Sequence, residues 1–532
     1  MPTILVKFQD RVSIAALIDA YPEQFDLRRR AAVQDTLNRY ARALSYPLDW
    51  PIDKYRTQFD FFFELVRSTG IPLRLPFDEL PSDWLPDVLS AAGSLAEKTD
   101  TPDRYDYVNL INYTKLVCPD PGKAERLLKR LKRFVPAKPR SAEPSPIEFV
   151  YLRSPAVPVQ AIPDTDRKAF RTTHAQDQLR VDLCDVAIPG PTRQDFWSQL
   201  DLATYWSTPG PVVKAVTIHD LEMAMPANTR TSLPIQKPAA AWLRESTTQF
   251  NELHGCAVAG LLVNAWSAAA PPFSSGSING VCGPSVQLNH YGTDTVDLDD
   301  PQYDNALLAA IFMARNRPGD VIEIVIANFA NGTILPLETD PMVYDLIKVA
   351  TASRLKLTVV EAAGNNSVDL DAYDQTQIEP GRRPGGTRTI RLPANVTEIQ
   401  QWQQALTLRF TNRYYTYKPG YDSGAILVSG ALPNPDHAHR INPFTFGSRI
   451  DCYGPAEKVL STYSAPTQQT GYICKTSAAT TLVAGLIVAI QSRKTAIIKA
   501  ATFRQALRNA ANLPTANATV TIPSATALAT SV

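Results

Sequence analysis

Three separate segments of the chain carry a serine, a histidine and an aspartate that could together perform acyl transfer. Ser477 opens the apolar run Lys475-Thr-Ser477-Ala-Ala-Thr-Thr-Leu-Val-Ala-Gly485, and His254 opens His254-Gly-Cys-Ala-Val-Ala-Gly260. Asp220 lies near the end of Ala215-Val-Thr-Ile-His-Asp220-Leu-Glu222, a β-branched run closing on a carboxylate. A serine hydroxyl is too weakly acidic to attack an amide at neutral pH, so it needs a base within hydrogen-bond reach. That base needs a third group to fix its tautomer and stabilise the imidazolium. Ser477, His254 and Asp220 have the types to fill these roles in that order. At a helix start, Ser477 would also gain backbone N–H groups facing a developing oxyanion. Asn365, in Val360-Glu-Ala-Ala-Gly-Asn365, would add a side-chain donor of the kind whose loss costs ~2.7–4 kcal/mol of transition-state stabilisation. Gly255 and Gly260 leave little side-chain volume beside the histidine, so a neighbouring backbone can approach it.

The elements that must position these residues alternate in type. Residues 212–218, 321–326, 355–360 and 425–428 read as buried strands, and 305–315, 341–354 and 478–491 as helices. Such alternation predicts a parallel sheet covered on both faces, with its site at the carboxyl ends of the strands, where Asp220 and Asn365 fall. The first ~160 residues have another texture, with charged helices such as 27–44 and half-buried alternation at 4–8 and 71–77. An extended run at 107–117, a basic amphipathic helix at 123–134 and a strand at 147–152 complete a small α+β pattern. Proline-rich residues 154–211 read as a linker and 373–421 as an insertion, while the Ala/Thr/Ser/Val tail after Leu513 reads as frayed.

Composition excludes several classes. Fifty-three basic against 52 acidic residues leave no net field for nucleic acid, and no apolar stretch reaches the ~18 residues of a membrane span. The basic stretch 123–140 is therefore read as the polar face of a helix. Six cysteines in 532 residues are too sparse for a disulfide framework. No secretory signal is visible at the N-terminus, so the chain is expected to be cytoplasmic as synthesised, with non-classical export left open, and its thiols reduced. His219 is read as a packed strand residue. Cys256 and Cys474, near the base and the serine, are read as structural. The acidic runs 294–300 and 369–374 are where a structural calcium ion would have to bind. They lack a spaced ligand pattern and read as solvated loops.

The order Asp, His, Asn, Ser and the motifs around them resemble the subtilisin family, the subtilases, over about 211–491. The family pattern is a strand-end Asp, then His-Gly-Thr-His-Val-Ala-Gly, Ala-Ala-Gly-Asn and Gly-Thr-Ser-Met/Ala-Ala-Thr-Pro. Two further segments, 422–428 and 444–462, resemble the stretches before the family's serine. The resemblance implies an α/β, doubly wound, mostly parallel sheet, with Asp220, His254 and Ser477 as the triad and Asn365 as the oxyanion donor. It also implies a serine endopeptidase acting on protein or peptide substrates through an acyl-enzyme, without a cofactor. The N-terminal region, best over 107–157, resembles the family's propeptide, a ferredoxin-like α+β domain that assists folding and blocks the site until cut off. The expected layout is a propeptide-like domain with extra helices at 1–160, a processing linker at 161–210, a catalytic domain at 211–512 and a low-complexity tail at 513–532. Partners are then substrates and an inhibitory propeptide or separate inhibitor, with no nucleic acid or membrane.

Four positions depart from the pattern. Cys256 and Ala257 replace Thr-His, Thr481 replaces the proline, and Lys475 replaces the glycine two before the serine. If that glycine has φ > 0, Lys475 adds ~1 kcal/mol or more of strain. The alternative reading is a weakened pseudoprotease that keeps the fold as a peptide-binding surface. An esterase is disfavoured because no Gly-x-Ser-x-Gly elbow surrounds Ser477.

Overall fold

The computed structural model describes residues 3–92, 110–134, 145–158, 196–225, 235–236, 249–263, 280–293, 303–365, 369–370, 423–431, 439–440, 444–511 and 519–532, less short stretches within them. Residues 161–195 of the expected 161–210 linker, the whole 373–421 insertion and the acidic run 294–300 lie outside the described residues. The end of that linker is corrected: Phe196–Gln199 and Leu202–Ser207 are helical, with Phe196, Trp197 and Leu202 buried in the core.

The N-terminal module is built on three antiparallel strands, β1 (Thr3–Phe8), β2 (Tyr113–Val117) and β3 (Ile147–Leu152), with β1 central. Helices α1 (Ile14–Ala20), α2 (Arg30–Ala43), α3 (Arg56–Arg67), α4 (Trp84–Ala92) and α5 (Pro121–Leu131) accompany them. α5 begins where the sequence says a helix should: Asp120 accepts from the Lys123 N–H at 2.6 Å and Pro121 takes the first turn. The alternation at 71–77 forms isolated bridges only, Phe25 to Leu73 and Arg74 to Lys115. Phe77, at φ 60°, lies in the left-handed region, which no extended strand can continue through.

After β4 (Ala156–Pro158) come the strands of the second unit: β5 (Val216–Glu222), β6 (Ile235–Gln236), β7 (Val286–Gly292), β8 (Val321–Ile324), β9 (Ile326–Ala330), β10 (Thr333–Leu335), β11 (Thr358–Ala362), β12 (Ile426–Ala431), β13 (His439–Arg440) and β14 (Cys452–Pro455). Seven of them form one sheet in the order β14-β12-β11-β8-β5-β7-β6, every pairing parallel. The sheet is α/β and doubly wound. The helices α6 (Gln249–Val263), α7 (Tyr303–Ala314), α8 (Pro341–Thr351), α9 (Lys475–Arg493) and α10 (Ala500–Ala510) divide between its faces.

One core contains α7, α8 and the whole apolar interior of the N-terminal module; the other contains α6, α9 and α10. α9 is apolar all round and buried from Thr476 to Ser492, as a central helix must be. Alternation along β5 decides what faces which core: Val216 and Ile218 join the α6/α9 side, and Leu221 the other.

Two further expectations are corrected. The tail is ordered over its last residues: Thr519–Val520 pairs with β13, and Ser524 caps a helix at Ala525–Ser531 whose Leu528 is buried. Lys494 donates to the Ala529 and Val532 carbonyls at 2.7 and 2.9 Å, anchoring a segment whose composition alone gives no reason for order. Cys474 is disulfide-bonded rather than reduced, whereas Cys118, Cys256, Cys282 and Cys452 are buried thiols.

Candidate active site

β5 is buried at every position and lies between β7 and β8 near the middle of the sheet. Its even-numbered residues Asp220 and Glu222 point toward α6 and α9. His219 faces the other way, where its ring nitrogens meet Tyr291 Oη at 2.9 Å and Asp320 Oδ2 at 3.2 Å. His219 is thus a packed strand residue on the face away from Ser477.

Register places Asp220 opposite His290 on β7 and Glu323 on β8, and Glu222 opposite Gly292, one rung nearer the carboxyl end. The carboxylate contacts follow that ladder. Asp220 Oδ2 is 3.4 Å from His290 Nδ1, and Asp220 Oδ1 has no hydrogen-bond partner among the described residues. His254 Nδ1 lies 2.5 Å from Glu222 Oε2. The bond expected between His254 and Asp220 is therefore not the one the structure holds, and Glu222 is a site residue that the sequence reading passed over. The signal was there: Glu222 is the last residue of a buried strand, on the same face as Asp220.

Gly255 explains how the His254 helix comes so close. A Cβ at Gly255 would meet the Ala224 carbonyl oxygen at 2.0 Å and Glu222 Cγ at 3.1 Å, so only a glycine lets the first turns of α6 rest on the end of β5. With Nδ1 donating to a carboxylate, His254 is the tautomer whose Nε2 can accept a proton. Nε2 is buried with no hydrogen-bond partner among the described residues.

Ser477 is the third residue of α9, and its Oγ is likewise buried without a hydrogen-bond partner among the described residues. Lys475, first in that helix, has φ 70°, the left-handed conformation suited to the glycine it replaces. Thr481, where the family has proline, donates its hydroxyl to the Ser477 carbonyl at 2.9 Å. Asn365 is clamped to the same helix start, its Oδ1 accepting from the Thr476 N–H at 3.0 Å and the Thr476 hydroxyl at 2.9 Å. This fixes the amide orientation and leaves Nδ2, buried and without a hydrogen-bond partner among the described residues, as a donor. The preceding Gly364 has φ 98°, and a Cβ there would meet the Ile334 carbonyl oxygen at 2.5 Å.

The electrostatics are those of a dry site. Burial raises the Asp220 carboxyl above its ordinary value, with the His290 hydrogen bond pulling the other way. Burial, and then repulsion from Asp220, holds Glu323 well above the usual carboxylate range. A second buried array lies across the N-terminal interface. Arg153 pairs with Asp304 at 3.0 Å, Lys115 with the same carboxylate at 3.2 Å, and Tyr151 and Tyr303 donate to Asp340 at 3.0 and 2.8 Å. Just beyond Arg153, β4 adds antiparallel to β9, with Ala156 opposite Asn328 and Pro158 opposite Ile326.

Residues 238–526 match the subtilase family, peptidase S8. That is more than half of the chain, and the chain belongs to this family of serine proteases. The match begins after β5, leaving both candidate carboxylates outside it. No curated protein matches the chain. Among solved structures, the A-subunit of the AB5 toxin from E. coli is similar at 14% identity and TM-score 0.39, covering 63% of this chain and 98% of that one. Fervidolysin from Fervidobacterium pennivorans, a keratinolytic enzyme related to subtilisin, is similar at 12% identity and TM-score 0.45, covering 84% and 59%. A cold-adapted subtilisin-like serine proteinase is similar at 13% identity and TM-score 0.34, covering 58% and 88%. Subtilase catalysis itself uses no cofactor. Among the described residues, no helix is long and apolar enough to cross a membrane.

Proposed function

We propose that the chain is a serine endopeptidase held in check by its own N-terminal module. Ser477 Oγ attacks the peptide carbonyl, His254 Nε2 takes the hydroxyl proton and returns it to the leaving amine, and Asn365 Nδ2 donates to the oxyanion. Water, activated by the same histidine, then releases the acyl group. One observation carries the reading: the three atoms this chemistry needs are all buried polar atoms without a hydrogen-bond partner among the described residues, and each of the three residues sits on its family motif.

The endo-specificity and the restraint rest on β4. An extended mid-chain segment already added as a strand to β9 is how a peptide would lie along that strand, main chain to main chain. A module boundary at about 160, with processing in the stretch that follows it, is the layout this reading takes. Arg153 locks the module down immediately before the strand. The Cys474 disulfide favours an oxidising compartment over the reducing cytosol. A pseudoprotease is the rival reading, and the strained Lys475 is what favours it.

Incubation of the full chain with a serine-directed fluorophosphonate, beside Ser477→Ala, tests the proposal by intact-mass and fragment analysis. Labelling of Ser477 that vanishes in the variant, with a wild-type cut between Ser154 and Pro211, is expected. No label even after limited proteolysis of the N-terminal module would leave the pseudoprotease.

A further inference from the structure

We propose that Glu222, rather than Asp220, is the carboxylate that orients His254 for catalysis, with Asp220 serving as a structural residue one rung behind it. The inference rests on the protease reading above and assigns a role within it. It starts from strand geometry. Asp220 and Glu222 lie on one face of β5, two residues and about 6.7 Å apart along the strand. A single imidazole nitrogen cannot serve both.

The docking of α6 makes the choice. Gly255 seats the helix on Ala224 and against Glu222 Cγ, beyond the Asp220 rung, and places His254 Nδ1 on Glu222 Oε2 at 2.5 Å. Asp220 is engaged elsewhere, at 3.4 Å from His290 Nδ1, in a row completed by Glu323 on the neighbouring strand. Asp220, Glu323 and His290 are all fully buried. With its carboxyl and that of Glu323 both pushed up by burial, this row is poorly suited to holding a charge opposite an imidazolium. Glu222 is a positioning residue in this account. Its Oε2 accepts the Nδ1 proton, which leaves Nε2 free for the Ser477 proton, and its charge stabilises the imidazolium that forms after transfer.

The test compares Glu222→Gln, Glu222→Asp and Asp220→Asn, each made as the full chain and then cut by limited proteolysis to relieve the N-terminal restraint, with kcat, KM and their pH profiles measured on a peptide substrate. Neutralising the carboxylate of a serine-protease triad costs about 10⁴-fold in kcat. Glu222→Gln is therefore expected to lose about 10³–10⁴-fold in kcat, with KM within about threefold and a displaced acid limb in the pH profile. Glu222→Asp should recover part of that loss, and Asp220→Asn should lose less than about tenfold. A larger loss in Asp220→Asn than in Glu222→Gln overturns the proposal. If Glu222→Gln does not fold, Asp220→Asn decides alone, and a loss there above about 100-fold overturns it.

A second readout does not need turnover. The hydrogen-bonded His254 Nδ1 proton should give a downfield NMR signal in Ser477→Ala that survives Asp220→Asn and disappears with Glu222→Gln; survival in Glu222→Gln counts against the pairing. Should wild-type Ser477 never label, the protease reading fails and the catalytic role of Glu222 fails with it. The proton signal would still report separately whether the Glu222–His254 bond exists.

Discussion

Gly255→Ala should disable the enzyme through a single methyl group. The position is helical and its φ is compatible with any residue, so only space forbids the change. The new Cβ would lie 2.0 Å from the Ala224 carbonyl oxygen, roughly 1.5 Å inside ordinary contact. The obstacle is backbone, which cannot swing aside as a side chain can. The first turns of α6 must retreat instead, carrying His254 with them. The 2.5 Å bond to Glu222 would then lengthen past hydrogen-bonding range. A displacement of about 1 Å at a catalytic group costs about 100-fold, so kcat is expected to fall at least that far while KM changes little. Overpacking should cost ~1–3 kcal/mol of stability, offset by up to ~1 kcal/mol from alanine's better helix propensity. Fluorophosphonate labelling rates at Ser477 and urea midpoints on the same preparations measure the two effects. A Gly255→Ala protein that labels within threefold of wild type would refute the argument that this glycine sets the histidine.

Two other predictions follow from single residues. Lys475→Gly should stabilise the chain by roughly 0.5–1 kcal/mol, because a non-glycine residue at φ 70° pays ~1–2 kcal/mol and glycine's greater unfolded freedom returns part of it. A higher urea midpoint at unchanged slope, measured in Ser477→Ala to prevent self-cleavage, checks this, and a lower midpoint contradicts it. At the N-terminal interface, burial alone would raise the Asp304 carboxyl, but the Arg153 and Lys115 cations hold it down at about 2. A depressed carboxylate adds stability that is present above its unfolded value near 3.9 and lost as pH falls through the folded one. The contribution is about 2–3 kcal/mol, and docking of the module should weaken between about pH 4 and pH 2. Asp304→Asn should remove that acid transition and destabilise docking by ~3–5 kcal/mol at neutral pH, because it leaves Arg153 buried without its main counter-charge. Co-elution of the cleaved module with the catalytic unit across that range reads both effects.

Much of the fold was legible because apolar periodicity and caps are local. The 341–354 helix appears as Pro341–Thr351, started by Asp340, and the 478–491 helix lies within Lys475–Arg493. The strand Val286–Gly292 escaped notice because Gln287, Asn289 and His290 interrupt its apolar run. Two of those polar residues are buried, and His290 is held by Asp220 on the next strand, a partner no local pattern reveals. The concern over Lys475 was legible too, since a lysine in a glycine's place stands out in the motif and its φ is positive.

The sequence by itself determined Ser477, His254 and Asn365 as candidates, because each sits in a short motif whose neighbours serve the same local geometry. It also determined the α/β class, because strand and helix periods alternate along the chain. Only the tertiary structure decided which carboxylate meets the histidine. Asp220 and Glu222 share a face of one strand, and the choice between them depends on where a helix 32 residues away comes to rest. That resting place is set by the fit of Gly255 over Ala224, a contact between distant backbones that neither segment encodes alone.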